Sequence, residues 1–208
     1  MSQPNSAGRP RDPLLDERVY TAASRLYARV GWAGFNIEAV AREARVGKSS
    51  IYLRWPDTTA LLLDTLKTRI DMPYDVDSGS VREDLVQLIR SVFRLLVGDN
   101  GDAILRLSME GRFVPELADR WQAFVDANVT AMRRIVRRGI TRGDLPESTK
   151  VNLVLDALFG GVMMHCLTTP PAGTAALARQ ADKYSQSLVD LVLAEANAAQ
   201  QRAKRRNR

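Results

Sequence analysis

GWAGFNIEAVAREARVGKSSIYLRW, residues 31–55, is the stretch that decides how this chain folds. Its first half places Ile37, Val40, Ala41 and Ala44 at three- and four-residue intervals, the signature of one apolar face on a short helix over 37–44. Asn36 stands just before that helix, where a side-chain oxygen can accept from the free N–H groups of the first turn. A tight Arg45-Val46-Gly47 connection leads into a second short helix over 48–54. Trp55-Pro56 stops it, because the residue before a proline avoids the helical region. Two short helices joined by a tight turn form a helix-turn-helix.

The second helix is too polar at its start to be core. Lys48, Ser49 and Ser50 are donors at a helix N-terminus, where free N–H groups and the dipole already favour phosphate. Ile51 and Trp55 are the expected inward anchors, while Tyr52 and Arg54 can reach a duplex backbone. Such a helix suits the major groove of double-stranded DNA. A plain helical hairpin with a solvated face fits the same periodicity, and the distribution of charge argues against it. Residues 1–56 carry nine basic and five acidic side chains, and the last seven residues add five basic ones. Everything between is slightly acidic, with 16 basic and 19 acidic side chains, although the chain nets +6. A basic headpiece on a near-neutral body points to a polyanionic partner. Gly8-Arg9-Pro10-Arg11 adds a proline-stiffened arm whose Arg9 and Arg11 could lie in a narrow minor groove; an incidental basic tail is the other reading. Residues 201–208 read as a basic disordered tail that adds nonspecific attraction at most.

Outward from this element, nearly everything reads as helix. Over 16–30 the residues Val19, Ala22, Ala23, Leu26, Tyr27 and Val30 make one buried stripe, which Gly31 ends. Asp57 caps a helix carrying Leu61, Leu62, Leu63 and Leu66. Residues 71–80 are loop-like, and helices follow at about 81–97, 103–113, 115–138, 148–167 and 174–200. No period-two run bounded by turns announces a strand. The expected fold is all-α with about nine helices: a flexible arm over 1–13, a helix-turn-helix unit over 14–66, and a helical bundle over 67–200.

Composition removes whole classes of function. With 208 residues, 45% hydrophobic and 26% charged, the chain is of ordinary globular type. One cysteine cannot close an internal disulfide, so the reducing cytoplasm is the expected compartment. The polar N-terminus lacks a signal-peptide core, and the apolar run 153–167 is too short to span a bilayer and contains Asp156 and His165. Catalysis would have to use His165, the single histidine, whose neighbour Cys166 points about 100° away on a helix. One His and one Cys cannot make a zinc site, and no phosphate loop or dinucleotide fingerprint occurs. Neither an enzyme nor a metal or cofactor site is expected.

At this point the sequence resembles the TetR family of transcriptional regulators. The residues that carry the resemblance are Gly31-Trp32, Asn36-Ile37, the run from Val40 to Ala44, the run from Val46 to Tyr52, and Trp55-Pro56. Pro115-Glu116-Leu117, Arg142-Gly143-Asp144-Leu145 and Gly160-Gly161 are similar to one C-terminal subgroup. The resemblance implies an operator-binding headpiece on an all-helical, ligand-responsive, dimerising body, with the last two long helices pairing with their mates. It also implies departures. Arg45 stands where the family usually has glycine, Thr58 where it often has lysine, and Phe35 where it has Ser or Thr. Either the turn does not need a positive φ at Arg45, or it tolerates the strain.

The DNA-contacting set expected on these grounds is Arg9, Arg11, Asn36, Arg45, Lys48, Ser49, Ser50, Tyr52 and Arg54. In the body, Phe93, Met109, Trp121, Phe124, Met163 and His165 offer a mostly apolar lining for an apolar or aromatic effector, with His165 as a hydrogen-bonding group. Gly160-Gly161 marks a place where another backbone approaches, at a cost of roughly 1 kcal/mol of helix propensity per glycine. Gly161 is the expected contact of a homodimer. The expected protein is a repressor released from a palindromic operator by a small molecule; an architectural DNA-binding protein without effector is the alternative.

Overall fold

The computed structural model describes residues 13–170 and 173–206, in which nine α-helices and no strand occur. The all-α expectation holds. In chain order the helices are α1 (Pro13–Gly34), α2 (Ile37–Ala44), α3 (Lys48–Tyr52), α4 (Thr58–Arg69), α5 (Val81–Val97), α6 (Gly101–Glu110), α7 (Pro115–Arg142), α8 (Val151–Thr168) and α9 (Thr174–Arg206). By its contacts the chain divides into two compact units, with the division between Leu66 and Lys67.

In the first unit, the helical run of α1 breaks at Gly31, whose φ of 67° and ψ of −171° are open to glycine and costly for other residues. The segment that follows folds back, with the Phe35 N–H donating to the Trp32 carbonyl. Tyr27, Ile37, Ile51, Leu61 and Leu62 are fully buried at the centre. Tyr20 and Trp55 meet edge to face at 5.5 Å, and both donate to Asp64 Oδ2 at 2.8 Å. Helix α3 is two residues shorter than its sequence suggests. The chain past it stays wound, because the N–H groups of Arg54 and Trp55 both reach the Ile51 carbonyl.

The second unit is built around α5, which packs on α6, α7, α8 and α9. Leu85, Leu88, Ile89 and Phe93 of α5 are fully buried against Ile135 and Val136 of α7, Leu158 and Val162 of α8, and Val189 of α9. Helix α7 runs four residues past the expected end and closes on Gly143. Helix α9 continues to Arg206, so the run expected to be a disordered tail is helical that far. Its Ala, Gln, Lys and Arg content favours helix strongly. Helix α8 corrects another expectation. At 18 residues and mean hydropathy 1.5 it is long and apolar enough, by length and composition, to cross a membrane, yet only 22% of it is buried in the single chain.

Candidate nucleic-acid interface and ligand pocket

The helix-turn-helix is locked by its own caps. Asn36 Oδ1 accepts from the Ala39 N–H at 2.8 Å, and its amide donates to the Gly34 carbonyl at 3.3 Å. Both polar ends of Asn36 are therefore engaged in shaping α2. Arg45 closes that helix in the left-handed region at φ 55° and ψ 47°, the one non-glycine residue with positive φ among those described. Its N–H and that of Val46 satisfy the last carbonyls of α2. The turn thus needs the conformation that glycine supplies elsewhere, and it carries a strain of roughly 1–2 kcal/mol. In exchange, an exposed guanidinium stands at the entrance to α3.

Lys48, Ser49 and Tyr52 are exposed on α3, and Ser50 is half-buried. Lys48 Nζ lies 3.1 Å from Glu38 Oε1 across the turn. A hydrogen bond within Glu38 itself, and then the ammonium, hold that carboxyl below its ordinary range. Such an exposed pair is weak, so a phosphate can replace the carboxylate. Arg54 is a correction. Its Nε sits 2.5 Å from Asp16 Oδ1, its Nη1 donates to the Ser50 carbonyl at 3.0 Å, and only 17% of the side chain is exposed. It braces α3 against α1 rather than reaching outward. Arg9 and Arg11 lie outside the described residues.

A pocket of about 210 Å³ opens in the body, walled by α5, α6, α7, α8 and the segment just after α4. Of the six residues expected to line it, Trp121, Phe124 and Met163 do so. Phe93, Met109 and His165 do not, for three different reasons. Phe93 is fully buried in the core, and Met109 is 62% exposed on the far side of α6. His165 stacks on Tyr184 at 4.2 Å with the rings 6° apart, and its Nε2 is buried without a hydrogen-bond partner among the described residues. Among the lining residues missed are Asn128, Ser108, Tyr74, Met132 and Phe159. A sequence signal existed for two of them, because Trp121, Val125, Asn128 and Met132 recur at helical spacing along α7.

Polar groups at the pocket are few and neutral. Asn128 Nδ2 donates to the Phe124 carbonyl at 2.8 Å, and Ser108 Oγ donates to the Ile104 carbonyl at 2.9 Å. Burial pushes the Tyr74 phenol up to about 12, so it stays protonated. No charged side chain lines the pocket among the described residues. Trp121 stacks on Phe124 at 5.4 Å and is seated against Gly111, where a Cβ would come within 2.3 Å of the indole.

A buried charge cluster ties α5 and α7 to the 71–80 segment. The Asp84 carboxylate is fully buried. Oδ1 accepts from the N–H and hydroxyl of Ser78, both at 2.7 Å, and Oδ2 faces Arg142 at 3.3 Å and Arg138 at 3.6 Å. Burial raises its pKa, but the two Ser78 bonds and Arg142 outweigh that and hold it below the ordinary range. The cluster pins the 71–80 segment, which also carries Met72 and Tyr74 of the pocket wall.

One unit with an exposed helix-turn-helix and a second, all-helical unit with an apolar pocket make up the plan of a ligand-responsive type of transcriptional regulator, and the comparisons agree. Residues 19–65 match the profile of bacterial regulatory proteins of the tetR family, and residues 75–184 match the tetracyclin repressor-like C-terminal domain. The chain belongs to the TetR family and is a DNA-binding transcriptional regulator. It is 30% identical over 169 residues to the HTH-type transcriptional regulator AqdR of Rhodococcus erythropolis, covering 79% of this chain and 82% of that one. Over 164 residues it is 27% identical to the HTH-type regulator YdeS of Bacillus subtilis, covering 78% and 83%. Among solved structures, FadR of Bacillus subtilis in complex with stearoyl-CoA superposes with a TM-score of 0.65 at 20% identity, covering 85% of this chain and 97% of that one. MexZ, a repressor of Pseudomonas aeruginosa, gives 0.66 at 17%, covering 87% and 96%. At these identities the structural likeness speaks for the fold.

Proposed function

We propose that this chain is a cytoplasmic, homodimeric repressor whose hold on a palindromic operator is relieved when a small molecule fills the pocket of its body. The observation that carries the reading is the uncharged pocket, one wall of which is Ile70, the residue immediately after the last residue of α4. A ligand placed there touches the segment through which the chain passes from headpiece to body. To lower operator affinity tenfold it must favour the released conformation by about 1.4 kcal/mol, within the usual range of allosteric coupling. An architectural protein without effector has no use for such a pocket and is not favoured.

The operator contacts fall to Lys48, Ser49, Ser50 and Tyr52 of α3, with Arg45 beside them. Arg54 and Asn36 serve by holding these residues in place. A second copy is proposed on the faces of α8 and α9, where Leu153, Met164, Leu167 and Leu191 are between 57% and 69% exposed. Gly160 is the glycine on that open side, since a Cβ there meets nothing within 4 Å. At Gly161, the residue expected at the dimer contact, a Cβ would instead meet Leu188 of the same chain at 3.1 Å, and its carbonyl accepts from the Tyr184 hydroxyl.

A second reading is prompted by the stearoyl-CoA bound to the Bacillus subtilis structure. The pocket here has no lysine or arginine for the coenzyme's phosphates and is small for an acyl chain of that length. Footprinting the promoter region of the chain's own gene tests the main reading. A short protected pseudo-palindrome is expected, with Lys48→Ala weakening binding and making the salt slope shallower by about one unit. Diffuse protection, or unchanged affinity in alanine variants of all five contact residues, overturns it.

A further inference from the structure

We propose that Leu53 reads the C5-methyl group of one thymine in each half of the operator; this rests on α3 being the helix that enters the major groove. Leu53 is 84% exposed, more than any other large apolar side chain among the described residues. Single exposed leucines are ordinary on protein surfaces, and this one is set apart by where it stands. Its N–H donates to the Ser49 carbonyl at 3.1 Å, so the chain is still wound past the last residue of α3 and Leu53 lies one turn beyond Ser49. At about 100° per residue, Lys48, Ser49, Tyr52 and Leu53 share one exposed arc, while Ile51 and Trp55 take the buried side. A leucine on that arc is carried into the groove with the serine.

The chemistry follows from what the neighbouring side chains have to offer. In the major groove thymine alone presents a methyl group, while cytosine presents an amino donor without one. Serine hydroxyls pair with either kind of base edge, so Ser49 and Ser50 discriminate little. Arg54, the residue type that takes a guanine with two bonds, is spent on Asp16 at 2.5 Å and on the Ser50 carbonyl at 3.0 Å. Leu53 is the one aliphatic side chain of the arc. Contact with a thymine methyl takes both groups out of water. A cytosine in the same place has its amino group covered by a side chain that cannot accept from it. The backbone under Leu53 is also fixed from both sides. Ile51 is fully buried, and Trp55 is buried with its indole N–H donating to Asp64 Oδ2 at 2.8 Å. The leucine therefore meets the DNA from a set position, as discrimination between two bases requires.

The experiment uses the full-length protein and a short duplex that it selects from a random pool, with affinity read by fluorescence anisotropy at fixed salt. Each thymine of one half-site is replaced in turn by deoxyuridine, which removes the methyl and leaves the hydrogen-bonding edge unchanged. At one position the wild type should lose about three- to fivefold, the scale of one buried methyl group. Cytosine there should bind more weakly than 5-methylcytosine by a similar factor. Leu53→Ser should bind the thymine duplex more weakly and show no difference between thymine and deoxyuridine at that position, while Leu53→Met, which keeps an apolar tip, retains the difference. Urea denaturation of Leu53→Ser should match the wild type, since a residue this exposed carries none of the core. Equal sensitivity to deoxyuridine in the wild type and Leu53→Ser, or no thymine methyl that matters to the wild type, overturns the inference. Lys48→Ala and Ser49→Ala are measured alongside. If they weaken binding while no methyl matters, α3 remains the reading helix and the role of Leu53 fails. If neither they nor Leu53→Ser change affinity, α3 is not the reading helix and both readings fail.

Discussion

In the headpiece the side chains with unspent polar capacity face outward, and in the body they face inward. Lys48, Ser49 and Tyr52 stand exposed on α3, and the polar residues behind them (Asn36, Asp64, Arg54) are consumed in caps and braces. In the body, Asn128 and Ser108 keep acceptor capacity beside an apolar hollow, and the charged residues nearby are consumed in the cluster around Asp84. One unit is built to meet a large charged surface, and on the proposed reading the other meets a small neutral one. The difference teaches that the same device, a polar group spent on the fold so that a neighbour stays poised, can serve either kind of recognition.

The contrast is open to attack at several points, beginning with the most severe. Asp84→Ala removes the single oxygen that accepts from both the N–H and the hydroxyl of Ser78, and leaves Arg138 to Asp77 and Arg142 to Asp77 and Asp144 beside an emptied buried site. It should destabilise the body by about 2–3 kcal/mol, the scale for leaving a buried hydrogen-bonding group without its partner. Peptide-resolved hydrogen exchange should show protection lost in α5 and α7 and retained in α1 to α3. The acid response follows in sign. A carboxyl held below its ordinary value stabilises fully above an unfolded pKa of about 3.9, and that contribution disappears as pH falls through the folded value. The body of the wild type should therefore lose stability below about pH 4, and the Asp84→Ala body should lack that component.

Next in size is Leu153→Glu, which places a charge on the apolar face of α8, where the leucine is 65% exposed in the single chain. Dimer dissociation should rise by about 30-fold or more, as expected for an interface anchor worth 2 kcal/mol, measured by sedimentation velocity. An unchanged dimer would move the interface elsewhere. Gly111→Ala drives a methyl into the Trp121 indole, which must shift. Overpacking of this kind costs about 1–3 kcal/mol, and the displaced ring should weaken ligand binding in the pocket and alter tryptophan fluorescence while operator affinity stays near wild type.

How much of this was legible in the sequence depended on distance along the chain. The helix-turn-helix, its cap at Asn36 and its anchors Ile51 and Trp55 are determined by neighbours within a few turns, and periodicity found them. The pocket gathers residues from Ile70 to Met163, and periodicity tells only that Phe93, Met109 and His165 are apolar or aromatic residues on central helices. Which face of α5 meets the core and which meets the pocket is decided by the neighbouring helices. Arg54 was misplaced for a similar reason. Its brace, Asp16, lies 38 positions upstream, and nothing near Arg54 announces it.

The smallest effect separates folding from binding at one residue. Arg45→Gly should relieve the left-handed strain and stabilise the headpiece by about 1 kcal/mol, read by urea denaturation. The same change removes a positive charge beside α3, and operator affinity should fall severalfold, more at low salt than at high. A variant that gains stability without losing affinity would take Arg45 out of the contact set.

The burial of Tyr74 has an optical corollary. The chain contains five tyrosines, and in alkaline difference spectroscopy an ordinary phenol develops its phenolate band near pH 10. Tyr74 is held protonated to about 12, so its share of the absorbance change should stay silent at that pH. That missing amplitude is a label-free gauge of whether the wall of the pocket is closed. It should return early in any variant that opens the 71–80 segment, and retreat further when a ligand packs against the ring.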